Sequence, residues 1–205
     1  MTELSTLQIR FNAPMILGFA LASLAALVLN KLTMGAANRR LFSVYRCSLY
    51  DPLALVRFFT HVLGHTGIEH YMGNMLLLLL IGPSLEERYG ALVLAICIAV
   101  TALVTGLVEF LFFPRHSLLG ASGVIFMMIV LTSFTGAERG VIPVTLIVVT
   151  VLYLGREIVN GVTDKSNVSQ LAHIVGGVCG LVLGYLLHVR QDICFFACGS
   201  GRDLI

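Results

Sequence analysis

Residues 168–189 read VSQLAHIVGGVCGLVLGYLLHV. The run is apolar enough to be buried in lipid, yet it carries an imidazole, His173, one turn before a ladder of glycines at Gly176, Gly180 and Gly184. Positions 173, 176 and 180 share a helix face, because residues three and four apart are neighbours. Small residues at that spacing let a second helix approach closely. The stretch therefore reads as one helix of a membrane bundle, its imidazole aimed at whatever packs on the ladder. An ionisable side chain in such a span is a functional hypothesis by default. The plainer reading is a histidine that bridges two helices by hydrogen bonds.

Composition extends this reading to the whole chain. Of 205 residues, 58% are hydrophobic and 12% charged, with a mean hydropathy of +0.94. No soluble domain of this size needs so much apolar surface, so the chain is expected to be an integral membrane protein. Leucines run unbroken from Leu76 to Leu80 instead of alternating as in a membrane barrel, which favours helical spans. A net charge of +2 gives no sign of a nucleic-acid partner. Cys97 and Cys179 fall in apolar runs and read as small buried hydrophobes. Cys194 and Cys198 make a lone C-x-x-x-C, a weak metal signal.

Six apolar segments are expected: Pro14–Leu32, Tyr71–Leu85, Ala91–Phe113, Ser122–Phe134, Val141–Leu154 and Val168–Val189. The fold class is then an all-α polytopic membrane protein, a bundle of six transmembrane helices over 14–190 between short tails at 1–13 and 191–205. The first segment also has small residues near its end, as a signal peptide would, but its apolar run is longer than a signal core. A loop from Met34 to Glu69 mixes Arg39, Arg40, Arg46 and Arg57 with Phe42, Tyr45, Tyr50, Phe58 and Phe59. That mix suits a folded loop in the bilayer interface. The fourth segment spans roughly 20 Å as a helix, against a hydrocarbon core of about 30 Å. If it ends at the far surface near Gly136, its serine end lies about 10 Å deep, and the loop Pro114–Gly120 dips in with it. Irregular backbone at that depth needs burial in protein or a water-filled cavity.

Ser122 follows a glycine and starts a helix, where free N–H groups can face an oxyanion. Alone, the motif is weak, and Ser122 reads first as an N-cap. Should the fourth helix pack on the glycine ladder, His173 can reach the Ser122 hydroxyl and act as its base. His70 and Asn74 are spaced i, i+4, and both can donate to a tetrahedral oxyanion; the bland reading is helix-to-helix glue. With no acidic residue placed to orient His173, the arrangement reads as a dyad, not a triad. Other intramembrane hydrolases lack their residues here. His-Glu-x-x-His is absent, and His65-Thr-Gly-Ile-Glu69-His70 is one residue too long for the inverted zinc motif. Asp51, Asp164 and Asp192 lie in polar or boundary stretches, where paired aspartates of an intramembrane protease do not sit.

Taken together, the pattern resembles the rhomboid intramembrane serine proteases. It includes His61-x-x-x-His65-x-x-x-x-His70-x-x-x-Asn74, Gly82, Leu85-Glu86-Glu87-Arg88-Tyr89-Gly90, Gly120-Ala121-Ser122-Gly123, and Ala172-His173-x-x-Gly176-x-x-x-Gly180. The resemblance implies a six-helix bundle with no metal or cofactor. Ser122 would be the nucleophile, His173 the base, and His70, Asn74 and the Ser122 N–H the oxyanion site. Glu86 and Arg88 would form a structural polar pair in the turn after the second helix. Substrates would be single-span membrane proteins, with the lipid bilayer and no nucleic acid as the other partner. The expected home is a bacterial cytoplasmic membrane.

Two residues depart from the family pattern. With no tryptophan in the chain, the Trp-Arg signature of the first loop is replaced by Tyr45-Arg46, and a tyrosine expected behind the catalytic histidine is Phe126. The resemblance puts the N-terminus in the cytoplasm and the long loop outside. Basic residues point the other way: Lys31, Arg39, Arg40, Arg46, Arg57, Arg115, Arg156 and Lys165 fall outside, against Arg10, Arg88, Arg139, Arg190 and Arg202 inside. A different class of function, a catalytically inactive relative that binds and routes membrane proteins, usually lacks the serine or the histidine; both stand here. A small transporter would be expected to show broken-helix pairs or an inverted repeat.

Overall fold

A computed structural model describes residues 12–48, 50–135, 141, 143–163 and 167–199. They form eight α-helices: α1 Pro14–Leu32, α2 Ala36–Leu41, α3 Pro52–Thr60, α4 Ile68–Tyr89, α5 Ala91–Phe112, α6 Ser122–Thr132, α7 Val144–Thr163 and α8 Asn167–Gly199. The six expected segments fall on α1 and α4 to α8. Among the described residues, α1, α5 and residues 170–189 of α8 are long and apolar enough to cross a membrane. The tail expected over 1–13 lies outside the described residues except for Asn12 and Ala13, as do Gly136, Arg139, Lys165 and 200–205. The helix of α8 continues past 190 to Gly199.

Helix α1 begins at a proline, which supplies the right φ and lacks an N–H that would have no partner there. Its first turn is capped from α4. Glu86 Oε1 accepts from the Met15 N–H at 3.0 Å, and Oε2 from the Ile16 N–H at 2.9 Å. A carboxylate at a helix N-terminus satisfies orphan donors and complements the dipole. Glu86 lies within α4, which runs four residues beyond the expected end at Leu85. The expectation of a polar pair in a turn is thus corrected: the acidic member lies inside a helix and holds another helix's start. One turn earlier, Gly82 lets the two helices touch, since a Cβ there would meet Ile16 Cδ1 at 2.7 Å.

The long loop is folded. It contains α2, the two-residue strand β1 (Val44–Tyr45), α3 and a 3-10 turn at His61–Leu63. Asp51 caps α3 by accepting from the Leu53 N–H at 3.0 Å, with Pro52 at the first helical position. Buried Arg57 spans the loop's interior. It donates to Asp51 Oδ2 at 2.9 Å, to Cys47 Sγ at 3.0 Å and to the Arg40 carbonyl at 3.3 Å, and lies 4.6 Å over the Tyr45 ring. Arg46, expected to replace the family's loop arginine, is exposed; Arg57 is the arginine that partners Tyr45. Strand β1 pairs antiparallel with β2 (Ser117–Leu118), Val44 opposite Leu118 and Tyr45 opposite Ser117. This pairing ties the loop to the segment leading into α6.

The core lies where α1, α4, α5 and α6 meet, around Ile16, Leu78, Leu85, Leu94, Met127 and Met128. Apolar side chains also cover the outside, among them Leu76, Leu80, Leu92 and Val151. A molecule apolar both within and without is one solvated by lipid.

Candidate active site

Helix α6 is buried along nearly its whole length, and the glycine ladder of α8 packs on it. A Cβ at Gly176 would strike the Gly123 backbone, one at Gly180 would lie 2.5 Å from the Met127 carbonyl oxygen, and one at Gly184 would strike the Phe134 ring. In return, a Cβ at Gly123 would meet the Ala172 carbonyl oxygen at 3.2 Å. The condition set by the sequence is met: the helix on the ladder is the one that begins with Ser122. Gly123 and Ala172 touch, so Ser122 and His173 leave one helix-helix contact as its immediate neighbours. The His173 ring stacks on Phe126, with centroids 4.4 Å apart and planes 6° from parallel. Phe126 is four residues after Ser122 and on the same face of α6. An imidazole stacked on it is fixed in plane on that face of α6.

Ser122 is not the N-cap. That position is Ala121, which has no side chain to cap with. The first α-helical bond runs from the Ile125 N–H to the Ala121 carbonyl at 2.9 Å. The N–H groups of Ser122, Gly123 and Val124 therefore precede the helix's own hydrogen bonding and carry the positive end of its dipole.

His70 and Asn74 approach from α4. Gly120, with φ +126°, adopts a conformation that side chains rarely tolerate, and a Cβ there would lie 2.9 Å from His70 Cε1, 3.0 Å from Nε2 and 3.8 Å from Asn74 Nδ2. Glycine is required on both counts. His70 Nδ1 is 3.2 Å from the Thr66 hydroxyl, so its Nε2 edge is the one turned to Gly120. Asn74 is buried, and its Nδ2 has no hydrogen-bond partner among the described residues. A buried amide donor left unpaired costs free energy unless something arrives to accept from it.

Several contributing residues carried no assigned role in the sequence reading. The His61 carbonyl accepts from the Gly120 N–H at 2.9 Å and so holds the strained residue in place. His61 Nδ1 lies 3.1 Å from the Arg57 carbonyl, which can only accept; the proton is therefore on Nδ1, and Nε2 is left to face Thr105 Oγ1 at 3.4 Å. Burial pushes the His61 pKa down to about 4. His65 is fully buried, donates from Nδ1 to the Leu63 carbonyl at 3.1 Å, and stands edge-on to His70 with centroids 5.1 Å apart. Burial, then the neighbouring His70, lower its pKa to about 4. Glu109 is another such residue. It is buried on the same face of α5 as Thr105, with Oε1 unpartnered among the described residues. The available signal was a lone acidic residue in the last turn of an apolar segment.

The sequence profile of the Rhomboid domain matches residues 52–190, the part of the chain that carries every element of this site. The chain belongs to the rhomboid family. Among its relatives, Rhomboid-related protein 2 of Mus musculus is 28% identical over 145 residues, covering 63% of this chain and 47% of that protein. RHOMBOID-like protein 2 of Arabidopsis thaliana is 30% identical over 135 residues, 62% of this chain and 41% of that one. Rhomboid-related protein 1 of Caenorhabditis elegans is 31% identical over 145 residues, 64% and 39% respectively. This rhomboid spans less than half the length of each.

Proposed function

We propose that this rhomboid is an intramembrane serine endopeptidase that cleaves the transmembrane segments of single-span membrane proteins with a Ser122–His173 dyad. His173 takes the Ser122 proton as Oγ attacks the scissile carbonyl, then returns it to the leaving amine, and water repeats the sequence on the acyl-enzyme. His70 Nε2–H, Asn74 Nδ2–H and the Ser122 N–H donate to the oxyanion. The observation that carries the reading is the unpaired Asn74 amide, buried and turned toward a left-handed glycine two residues before a serine that caps nothing. Most buried polar groups are paired, so a donor left empty at this place calls for an acceptor that arrives with the substrate.

In this reading α1 and α4 to α8 are the six spans, and the short α6 sets Ser122 below the surface in a protein-lined recess. The relatives named above are eukaryotic and lend no support to a bacterial membrane, and the reading requires only a bilayer. Purified protein treated with a fluorophosphonate probe is expected to label, and Ser122→Ala to lose the label while keeping its fold. A folded wild type that does not label, beside a control protease that does, overturns the enzyme reading.

A further inference from the structure

Between Lys31 and Ile68 the sequence holds five basic residues and one acidic, Asp51. The pair Arg57–Asp51 is internal to the loop, which leaves Lys31, Arg39, Arg40 and Arg46, all exposed. A fifth cation joins them through the β-ribbon. Tyr45 pairs with Ser117, so Arg46 continues past the ribbon beside exposed His116 and Arg115. Arg39 and Arg40 are held to α3 because the Arg40 carbonyl accepts from Arg57 and the Leu41 carbonyl from Thr60. The nearby exposed acid is Glu69, in the first turn of α4.

Helix α3 sets the depth of this basic cluster. Its charged residue, Arg57, points inward, while Leu55, Val56 and Phe59 are exposed, and Tyr50 just before it is fully exposed. A surface helix whose outer flank is apolar and whose polar group faces the protein is turned toward acyl chains. The arginines bonded to it then stand at the level of the headgroups.

We infer that this face binds the headgroups of anionic phospholipids, gathering them around the loop in preference to neutral lipid. A free acidic peptide would account for the charge but not for the apolar flank of α3 beside it. Each Lys or Arg held near an anionic membrane surface contributes about fivefold in affinity. The inference is independent of the catalytic chemistry and needs only that the chain sits in a membrane.

The chain has no tryptophan, so a single introduced one reports locally. Tyr50→Trp protein is reconstituted in phosphatidylcholine vesicles containing phosphatidylglycerol, with bromine quencher on one lipid or the other. Quenching by brominated phosphatidylglycerol is expected to exceed its share of the bilayer about fivefold, and to return to that share in Arg39→Gln/Arg40→Gln/Arg46→Gln/Arg115→Gln. Leu92→Trp, at the start of α5 and exposed, is expected to report no enrichment. Equal quenching by both lipids at Tyr50→Trp overturns the inference. So does enrichment that survives the four substitutions, or enrichment equally strong at Leu92→Trp. Charge-dependent binding of an acidic peptide by protein that shows no lipid preference would assign the patch to a protein partner instead. Circular dichroism and the unfolding midpoint establish that the variant is folded.

Discussion

Gly180→Ala tests the geometry on which the dyad depends without touching either member. A Cβ at 180 would lie 2.5 Å from the Met127 carbonyl oxygen, 2.9 Å from Val130 Cβ and 3.1 Å from Met127 Cα, where ordinary contact begins at 3.4 Å. Two of these atoms are backbone and cannot rotate away, so α8 must withdraw from α6 by about 0.9 Å at this point. Overpacking of this kind costs ~1–3 kcal/mol. A helix moves as a rod over two turns, so His173 moves with it, and a 1 Å misplacement of a catalytic group costs about 10²-fold in rate. Gly73→Ala is the control: nothing lies within 4 Å of its Cβ, and alanine should gain ~0.5–1 kcal/mol in a helix interior. The assay is cleavage of a single-span substrate in proteoliposomes, paired with the denaturation midpoint. Gly180→Ala should lose turnover and stability together, with Gly73→Ala unimpaired in both. A Gly180→Ala protein with wild-type midpoint and turnover would refute the close α6–α8 packing and the placement of His173 derived from it.

Asn74→Ala should lower kcat by about 10²–10³-fold with little change in KM, since the donor is needed only when the oxyanion forms; a raised KM with kcat unchanged would make it a binding group. Glu86→Gln should destabilise the fold by ~1–2 kcal/mol, because one α1 N–H keeps only a weaker neutral acceptor and the other loses its acceptor to an amide NH2 that can only donate, read as a lower midpoint with Ser122 still labelled. His61 and His65 titrate at about 4 in the folded chain against about 6.5 unfolded, so the unfolded chain binds their protons first. Stability should be full above pH 6.5 and fall as pH drops toward 4, and His61→Gln should shallow that slope. Asp51 has its pKa lowered, first by Arg57 and then by the Leu53 N–H. Its contribution is present above the unfolded value near 3.8 and lost as pH falls through the lower folded value, so Asp51→Asn should weaken the loop at pH 7 and progressively less as pH falls below 3.8, read by hydrogen exchange of α3.

Hydropathy located α1 to the residue and α5 to within one, because their ends coincide with polarity steps in the sequence. It failed where polarity is answered from elsewhere in the fold. Hydropathy ends the second segment at Leu85 because Glu86 and Arg88 follow, yet the carboxylate is hydrogen-bonded by the open end of α1, seventy residues away, and the helix continues to Tyr89. The glycine ladder was legible because a motif of absences works in one dimension: it says that something approaches, and the first residues of α6 are what does. Arg57 was not legible as the loop's organiser, nor Arg46 as a surface residue, because which of two arginines turns inward depends on β1 meeting β2 across seventy residues. His61 acts through its backbone carbonyl, which every residue possesses and which no side-chain reading can single out.

The structure divides the work between two ends of the same helices. At one end α1 and α4 are locked by Glu86 and by the bare backbone of Gly82, contacts with no slack. At the other, α4 presents His70 and Asn74 to Gly120, whose N–H donates to the carbonyl of a loop histidine, His61. In the proposed mechanism, the oxyanion donors are therefore as well placed as α4 is anchored, and Ser122 as well placed as the loop is folded. These are separable: damage to the Glu86 cap should release α1 while leaving Ser122 reactive toward small probes, whereas damage to the Arg57 cluster should free Gly120 and blunt the serine in an otherwise intact bundle. An enzyme of the proposed kind would have reason to keep the two apart, because a substrate helix must displace something on entering, and what gives way cannot be what holds the oxyanion site.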